Sequence, residues 1–282
     1  MDLPRSRPRS ASESSQPKPE LASEPHPSTA DSGVDSATMM VSEMGTIEQA
    51  AAEQMERGRR LALISLLLLV PAPSLGVASE MIWFPGFIGL CILGASKFWI
   101  FGFPAAWAFF AEESALARPR PNSRGLMLGL TSGLLGATVV VLGFHFVLRE
   151  RIDTTLIREM ARKNHLLAPA VYLAVAVYIC AFNSLLEEYV WRWFVYGRFE
   201  KLVPRGWAVF LAAAAFTLHH SIILASQFGA EMCLIGSLAV FVAGLTWSWI
   251  YAKTRSIWSA WLSHALIDIA VFWAGWQLLF VG

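Results

Sequence analysis

Charge is what this sequence has least of. Asp, Glu, Lys and Arg make up 15% of its 282 residues and apolar residues 55%, where a soluble domain averages about 25% charged. The shortage is sharper than that figure, because residues 1–60 alone hold 7 of the 22 Lys and Arg and 10 of the 21 Asp and Glu. What remains cannot cover a water-facing surface, which excludes a soluble enzyme. The formal net charge is +1 and no basic stripe is left over, which excludes a nucleic-acid binder. Cysteine is scarce as well. Cys91, Cys180 and Cys233 are odd in number and scattered through apolar runs, so they form no disulfide framework and no metal spacing and read as small buried hydrophobes. The first apolar run begins only near Leu61, so no secretory signal is expected.

Long apolar runs and twelve Trp fill the space that charge leaves. A span needs about 20 apolar residues, and suitable stretches occur at 61–79, 126–148, 167–197, 206–223, 232–251 and 257–280. A further stretch, 81–111, is interrupted by Lys97 and bent by Pro85, Gly86, Gly102 and Pro104, so it supplies one helix or two. The expected fold is all-α: a polytopic membrane helical bundle of seven or eight transmembrane helices with a disordered N-terminal tail.

Residues 1–45, rich in Pro, Ser and Glu, form that cytoplasmic tail, since they cannot bury enough surface to offset ordering entropy. A short amphipathic lead-in helix follows at 46–60, capped by Thr46 and Gln49. Accessory transmembrane helices with an interfacial helix occupy 61–164, and a core occupies 165–282. Lys and Arg in the short loops put the N-terminus and the 112–124, 198–205 and 252–256 loops in the cytoplasm, and the plasma membrane is the expected location. The segment 149–165 carries five Lys and Arg yet must face outward; its mixed charges and apolar residues suit a helix lying at the interface. Gly125, Gly129 and Gly133 recur every four residues, a spacing for close helix packing.

Charges at membrane depth cost several kcal/mol each unless paired or hydrated, so each one demands a reason. Three late spans carry them: Glu187, Glu188 and Arg192 on the first, His219 and His220 on the second, His264 and Asp268 on the third. At 1.5 Å rise per residue, Glu187, His220, His264 and Asp268 all lie about 12–22 Å from the expected cytoplasmic helix ends, so the three helices can present them at one level. Glu188 and Arg192 stand four apart, as do His264 and Asp268 and also Phe216 and His220, each pair sharing a helix face. His219 alone reads as an imidazole bonded to a backbone carbonyl.

A carboxylate and an imidazole converging in a cavity can hold and deprotonate one water, and a second imidazole can stabilise an oxyanion. That combination is peptide hydrolysis inside a membrane without a Ser or Cys nucleophile. The same donors, Glu187, His220 and His264, can instead hold zinc with a position open for water. Other membrane hydrolases are excluded by what is missing. There is no His-Glu-x-x-His, Gly129-Leu-Thr-Ser132-Gly133 is one residue too long for a rhomboid Gly-x-Ser-Gly, and a single Asp at depth excludes a two-aspartate site. A proton-coupled transporter or a non-catalytic scaffold using the same polar cluster remains as the alternative, although no internal repeat supports a transporter.

In order along the chain stand Glu187-Glu188-Tyr-Val-Trp-Arg192, Phe216-Thr-Leu-His-His220 and His264-Ala-Leu-Ile-Asp268. These strongly resemble the Glu-Glu-x-x-x-Arg, Phe-x-x-x-His and His-x-x-x-Asn/Asp motifs of the CPBP family, the CAAX proteases and bacteriocin-processing enzymes. The resemblance covers about residues 165–280. It implies an intramembrane endopeptidase acting on a membrane-associated or lipidated protein or peptide, of glutamic or metal-dependent type, with no nucleic-acid partner. It implies that Glu187 activates water with His220, that Arg192 positions Glu188, and that His264 and Asp268 bind the oxyanion or complete the site. Phe216 and Trp191 are then expected to contact substrate. An Asn in place of Asp268 would donate a hydrogen bond, whereas an ionised Asp only accepts; Asp268 is therefore either protonated or serves to orient His264 or a metal.

Overall fold

A computed structural model describes residues 32–112 and 121–281. The chain divides into two compact units, Met1–Ala52 and Glu53–Gly282. In the first, every described residue belongs to the opening of α1 (Ser32–Leu69). Residues 1–31 of the expected tail, and Arg118 and Arg120 of the 112–124 loop, lie outside the described residues. The lead-in helix differs from expectation: α1 starts at Ser32, so Thr46 sits inside it. The Thr46 hydroxyl donates back to the Glu43 carbonyl at 2.8 Å. A Thr with a full turn of helix before it bonds backward in this way and does not cap.

The second unit is helical throughout its regular elements, with no strand among the described residues. Seven stretches are long and apolar enough to cross a membrane: Thr38–Trp83, Phe87–Phe110, Ser123–Leu148, Pro169–Leu202, Arg205–Gln227, Ala230–Thr254 and Ile257–Val281. Their outward faces are those of an integral membrane protein; Phe87, Phe98 and Phe110 of α3 (Phe87–Phe110) are 82%, 84% and 79% exposed, an apolar surface that only lipid satisfies.

The choice between seven and eight spans is decided at 81–111. Residues 79–83 form a π-helical turn that ends α2 (Pro71–Ala78). Gly86 then takes φ 111°, a conformation open to glycine, and α3 runs on through Pro104 as one helix. The prolines at 71 and 73 mark where α1 gives way to α2, because a proline has no amide hydrogen for the preceding turn.

The glycine spacing has the expected use. On α4 (Ser123–Gly143) a Cβ at Gly129 would overlap the Ser259 carbonyl oxygen, and one at Gly133 would lie 2.9 Å from the Ser263 Cα. Both serines belong to α11 (Ile257–Trp276), so α4 approaches the backbone of the helix that carries His264. Between α4 and the next span, the segment expected at the interface folds as α5 (Thr154–Lys163). Asp153 caps it, accepting from the Thr155 amide at 2.8 Å.

Ion pairs mark the two ends of the bundle. At one end Glu112 meets Arg198 at 3.0 Å and Lys201 at 3.2 Å, while Glu200 takes Arg255 through two bonds of 2.5 and 2.6 Å. The bond to Glu200 holds the Arg255 guanidinium above its ordinary pKa. These contacts gather three of the loops expected on a common face. At the other end Arg151 pairs with Glu231 at 2.5 Å, joining the segment expected to face outward to the first turn of the helix Ala230–Thr254.

The fourth span departs furthest from a regular helix. Residues 169–202 run as α6 (Pro169–Val177), a π-helical segment Tyr178–Asn183, α7 (Ser184–Glu188), a second π-helical segment Tyr189–Tyr196, and α8 (Gly197–Leu202). π-helical stretches are rare and favour functional sites. Here they flank the two adjacent glutamates on both sides and set their directions.

Candidate active site

Three helices converge on the glutamates: α7, α9 (Arg205–Gln227) and α11, with α10 (Ala230–Thr254) behind them. Glu188 and Arg192 are completely buried. Their ion pair is 3.2 Å between Oε2 and Nε, off the line of a hydrogen bond, since neither atom has a hydrogen-bond partner. The guanidinium lies instead between aromatic faces, its central carbon 4.7 Å from the Phe216 ring centre and 5.1 Å from that of Trp247. Cation–π attraction of this kind strengthens when water is excluded.

The other oxygen of Glu188 accepts from His264, Nδ1 to Oε1, at 2.8 Å. A carboxylate partner makes Nδ1 the donor, which fixes the ring and aims Nε2 elsewhere. Trp247 stacks on that ring at 3.7 Å between centroids, and its own indole N–H donates to Ser263 at 3.2 Å. Nε2 of His264 points between two further carboxylates, 3.7 Å from Glu187 Oε2 and 3.6 Å from Asp268 Oδ2. Glu188 therefore bridges Arg192 and His264, and His264 bridges Glu188 to Glu187.

Glu187 faces a different environment. Its Oε1 accepts from the Asn183 amide at 2.9 Å, and it lines a cavity of about 190 Å³ together with Trp191, His219 and His220. Donor atoms of Glu187, His219 and His220 all lie within 4.8 Å of one another. His220 Nδ1 lies 3.0 Å from the Phe216 carbonyl; a carbonyl can only accept, so Nδ1 carries the hydrogen and Nε2 is left with its lone pair. His219 stacks on Trp191 at 5.4 Å.

The structure thus brings Glu187, Glu188, Arg192, His220, His264 and Asp268 into one connected cluster. Trp191 lines the cavity, while Phe216 is 2% exposed and lies outside its lining, packed against Arg192, His220 and His264. His219 differs from the expected carbonyl-bonded imidazole: its Nδ1 is buried without a hydrogen-bond partner, because the neighbouring Trp191 ring covers its face and its edge turns toward Glu187 and His220. Among the described residues, the donor group compact enough for a metal is accordingly Glu187, His219 and His220, whereas His264 has one nitrogen committed to Glu188. Sequence reasoning missed Asn183 and Trp247. Asn183 stands four residues before Glu187 in an apolar run, a signal open to inspection; one Trp among twelve carries none.

Residues 169–270 match the family model described as Type II CAAX prenyl endopeptidase Rce1-like. The match starts at the first residue of α6 and ends within α11, so it contains all three motifs. The family resemblance is borne out, and the match supports an intramembrane protease, a hydrolase, in general terms. Neither the curated proteins nor the solved structures gave a match.

Proposed function

We propose that the protein is an endopeptidase that hydrolyses a peptide bond of a membrane-associated or lipidated protein by a water activated between Glu187 and His220. The observation that carries the reading is the meeting of Glu187 and His220, from two separate spans, at the wall of one cavity, with His264 of a third span 3.7 Å from Glu187. Asn183 occupies one oxygen of Glu187 and leaves the other for water. The lone pair on His220 Nε2 gives that water a second acceptor. Glu187 takes the proton as the water oxygen bonds to the scissile carbonyl carbon. It then delivers that proton to the amide nitrogen as the C–N bond breaks, releasing a carboxylic acid and an amine. His264 Nε2 lies 3.7 Å from Glu187 Oε2, and a proton there makes the donor that a tetrahedral oxyanion requires. Asp268, 3.6 Å from that nitrogen, orients the ring.

A metal-dependent variant of the chemistry has its own support in the compact Glu187, His219 and His220 group. The Phe216 carbonyl fixes the His220 ring in the manner of outer-shell partners of metal-bound histidines. Zinc held there would lower the pKa of a bound water. The loop charges favour a cytoplasmic N-terminus, and a plasma-membrane location fits the reading.

The test is to reconstitute the full chain in liposomes with a farnesylated Cys-aliphatic-aliphatic-X peptide and identify products by mass spectrometry, with and without a chelator. Release of the residues beyond the lipidated cysteine by the wild type, and its loss in Glu187→Ala, is expected. Equal cleavage by both proteins overturns the assignment. Loss of activity with the chelator, restored by zinc, selects the metal-dependent form.

A further inference from the structure

Lys97 is a charge at membrane depth that none of the site chemistry uses. It stands on α3 ten residues from Phe87 and thirteen from Phe110, about 15 Å and 20 Å of helix rise. That is farther than a four-carbon stem can bring an ammonium toward either interface by snorkelling. It is exposed and, among the described residues, has no ion-pair or hydrogen-bond partner. Its neighbour Ser96 makes no bond to it; the Ser96 hydroxyl donates to the Ala72 carbonyl at 2.6 Å.

Lys97 lines the same cavity as Glu187, His219 and His220. The wall around it is apolar, made by Leu93, Ile100 and Phe101 of its own helix and by Val77 of α2. Glu187, on the α7 side, is held by Asn183 and makes no ion pair with Lys97. The cavity thus has a cationic wall on α3 and a water-activating wall on α7 and α9, with apolar surface between them. An intramembrane ammonium without a counter-ion calls for one.

We propose that Lys97 determines specificity by binding a carboxylate of the peptide that occupies this cavity, an inference that rests on the protease reading of the same cavity. One compact ammonium suits one singly charged group; a phosphate would need further donors, and the α3 wall offers none. The carboxylate comes either from the end of the peptide chain or from an acidic side chain beyond the scissile bond. Either way it draws the peptide across the cavity, past Glu187.

The experiment measures binding, so that it does not depend on turnover. Affinities are determined for the full chain carrying Glu187→Gln, in nanodiscs, toward three farnesylated peptides: a free acid, its C-terminal amide, and the amide with a Glu at the last position. The free acid, the Glu-bearing amide or both are expected to bind about tenfold more tightly than the plain amide, the effect of one charge-assisted hydrogen bond. The pattern identifies the source of the carboxylate. In Lys97→Met the preference should fall to about one, and in Lys97→Arg it should persist. Equal affinity for all three peptides, no binding of any, or a preference unchanged in Lys97→Met overturns the proposal. Equal affinities in the Lys97 protein do so even if Lys97→Met fails to fold. Cleavage of the same peptides by the protein with native Glu187 reports on the protease reading separately: charge-selective binding without cleavage sinks that reading alone, and cleavage without charge selection sinks this one alone.

Discussion

Glu187 and Glu188 are chemically identical neighbours in opposite surroundings. Glu188 has no exposure, and both its oxygens are engaged, one by His264 and one by Arg192. Glu187 is 17% exposed in its side chain, has one oxygen bonded to Asn183 and turns toward a cavity. A carboxylate whose every direction is filled by protein can hold a structure but has no room for a reactant. One with an unclaimed oxygen beside an imidazole lone pair can hold water and take its proton. The difference between the two positions, and not the residue type, supports the proposed division of roles, in which Glu188 positions His264 and Glu187 activates water.

Substitutions on the buried side test the comparison with the largest effect on stability. Glu188→Ala leaves the Arg192 guanidinium buried without a counter-ion and should cost about 3–5 kcal/mol, read as a large drop in the thermal midpoint of the purified protein in detergent. A midpoint near that of the native chain would mean that the pair is dispensable. Next comes Gly129→Leu, which forces α4 away from the Ser259 backbone and through α11 displaces His264; overpacking of this kind costs about 1–3 kcal/mol. Its thermal midpoint should fall by less than that of Glu188→Ala, and its cleavage rate should fall as well.

Asn183→Ala sharpens the other side. It removes the hydrogen bond that holds Glu187 and should lower the cleavage rate about tenfold, from a bond to a charged group of about 1.5–3 kcal/mol, with the thermal midpoint close to native. A loss of stability in place of rate would move Asn183 to the structural side. The smallest effect belongs to the exposed end of the bundle. Arg255→Ala breaks the pair with Glu200, in which the side chains are 53% and 27% exposed, and such a pair contributes about 0–1 kcal/mol. Denaturation of Arg255→Ala should therefore differ from native by no more than that.

How much of this was legible beforehand follows the same division. The spans were readable because about 20 apolar residues are a physical requirement of the bilayer, and Gly125, Gly129 and Gly133 announced a close approach by their spacing. Glu187, His220, His264 and Asp268 were readable because charge at membrane depth is costly and therefore conspicuous. What the residues did not disclose were features set by contacts between helices. The fourfold spacing linked Glu188 to Arg192, but nothing in it told that His264 would close the chain from Glu188 to Glu187. A lone imidazole in a helix has a carbonyl within reach, which is what the sequence suggests for His219, and only the placement of Trp191 and Glu187 turns it into the cavity. Trp247 had no signal, since an aromatic in an apolar span looks the same whether it faces lipid or covers an imidazole. The start of α1 at Ser32 is hidden in the sequence because Thr46 resembles a cap and the composition before it is polar.

The most direct measurement compares Glu187→Gln with Glu188→Gln, each nearly isosteric, for both cleavage rate and thermal midpoint. The account predicts that Glu187→Gln lowers the rate by about 10²–10⁴-fold, the worth of a general base, while its midpoint stays native. It predicts that Glu188→Gln lowers the midpoint. Retention of the cleavage rate in Glu187→Gln would contradict the account.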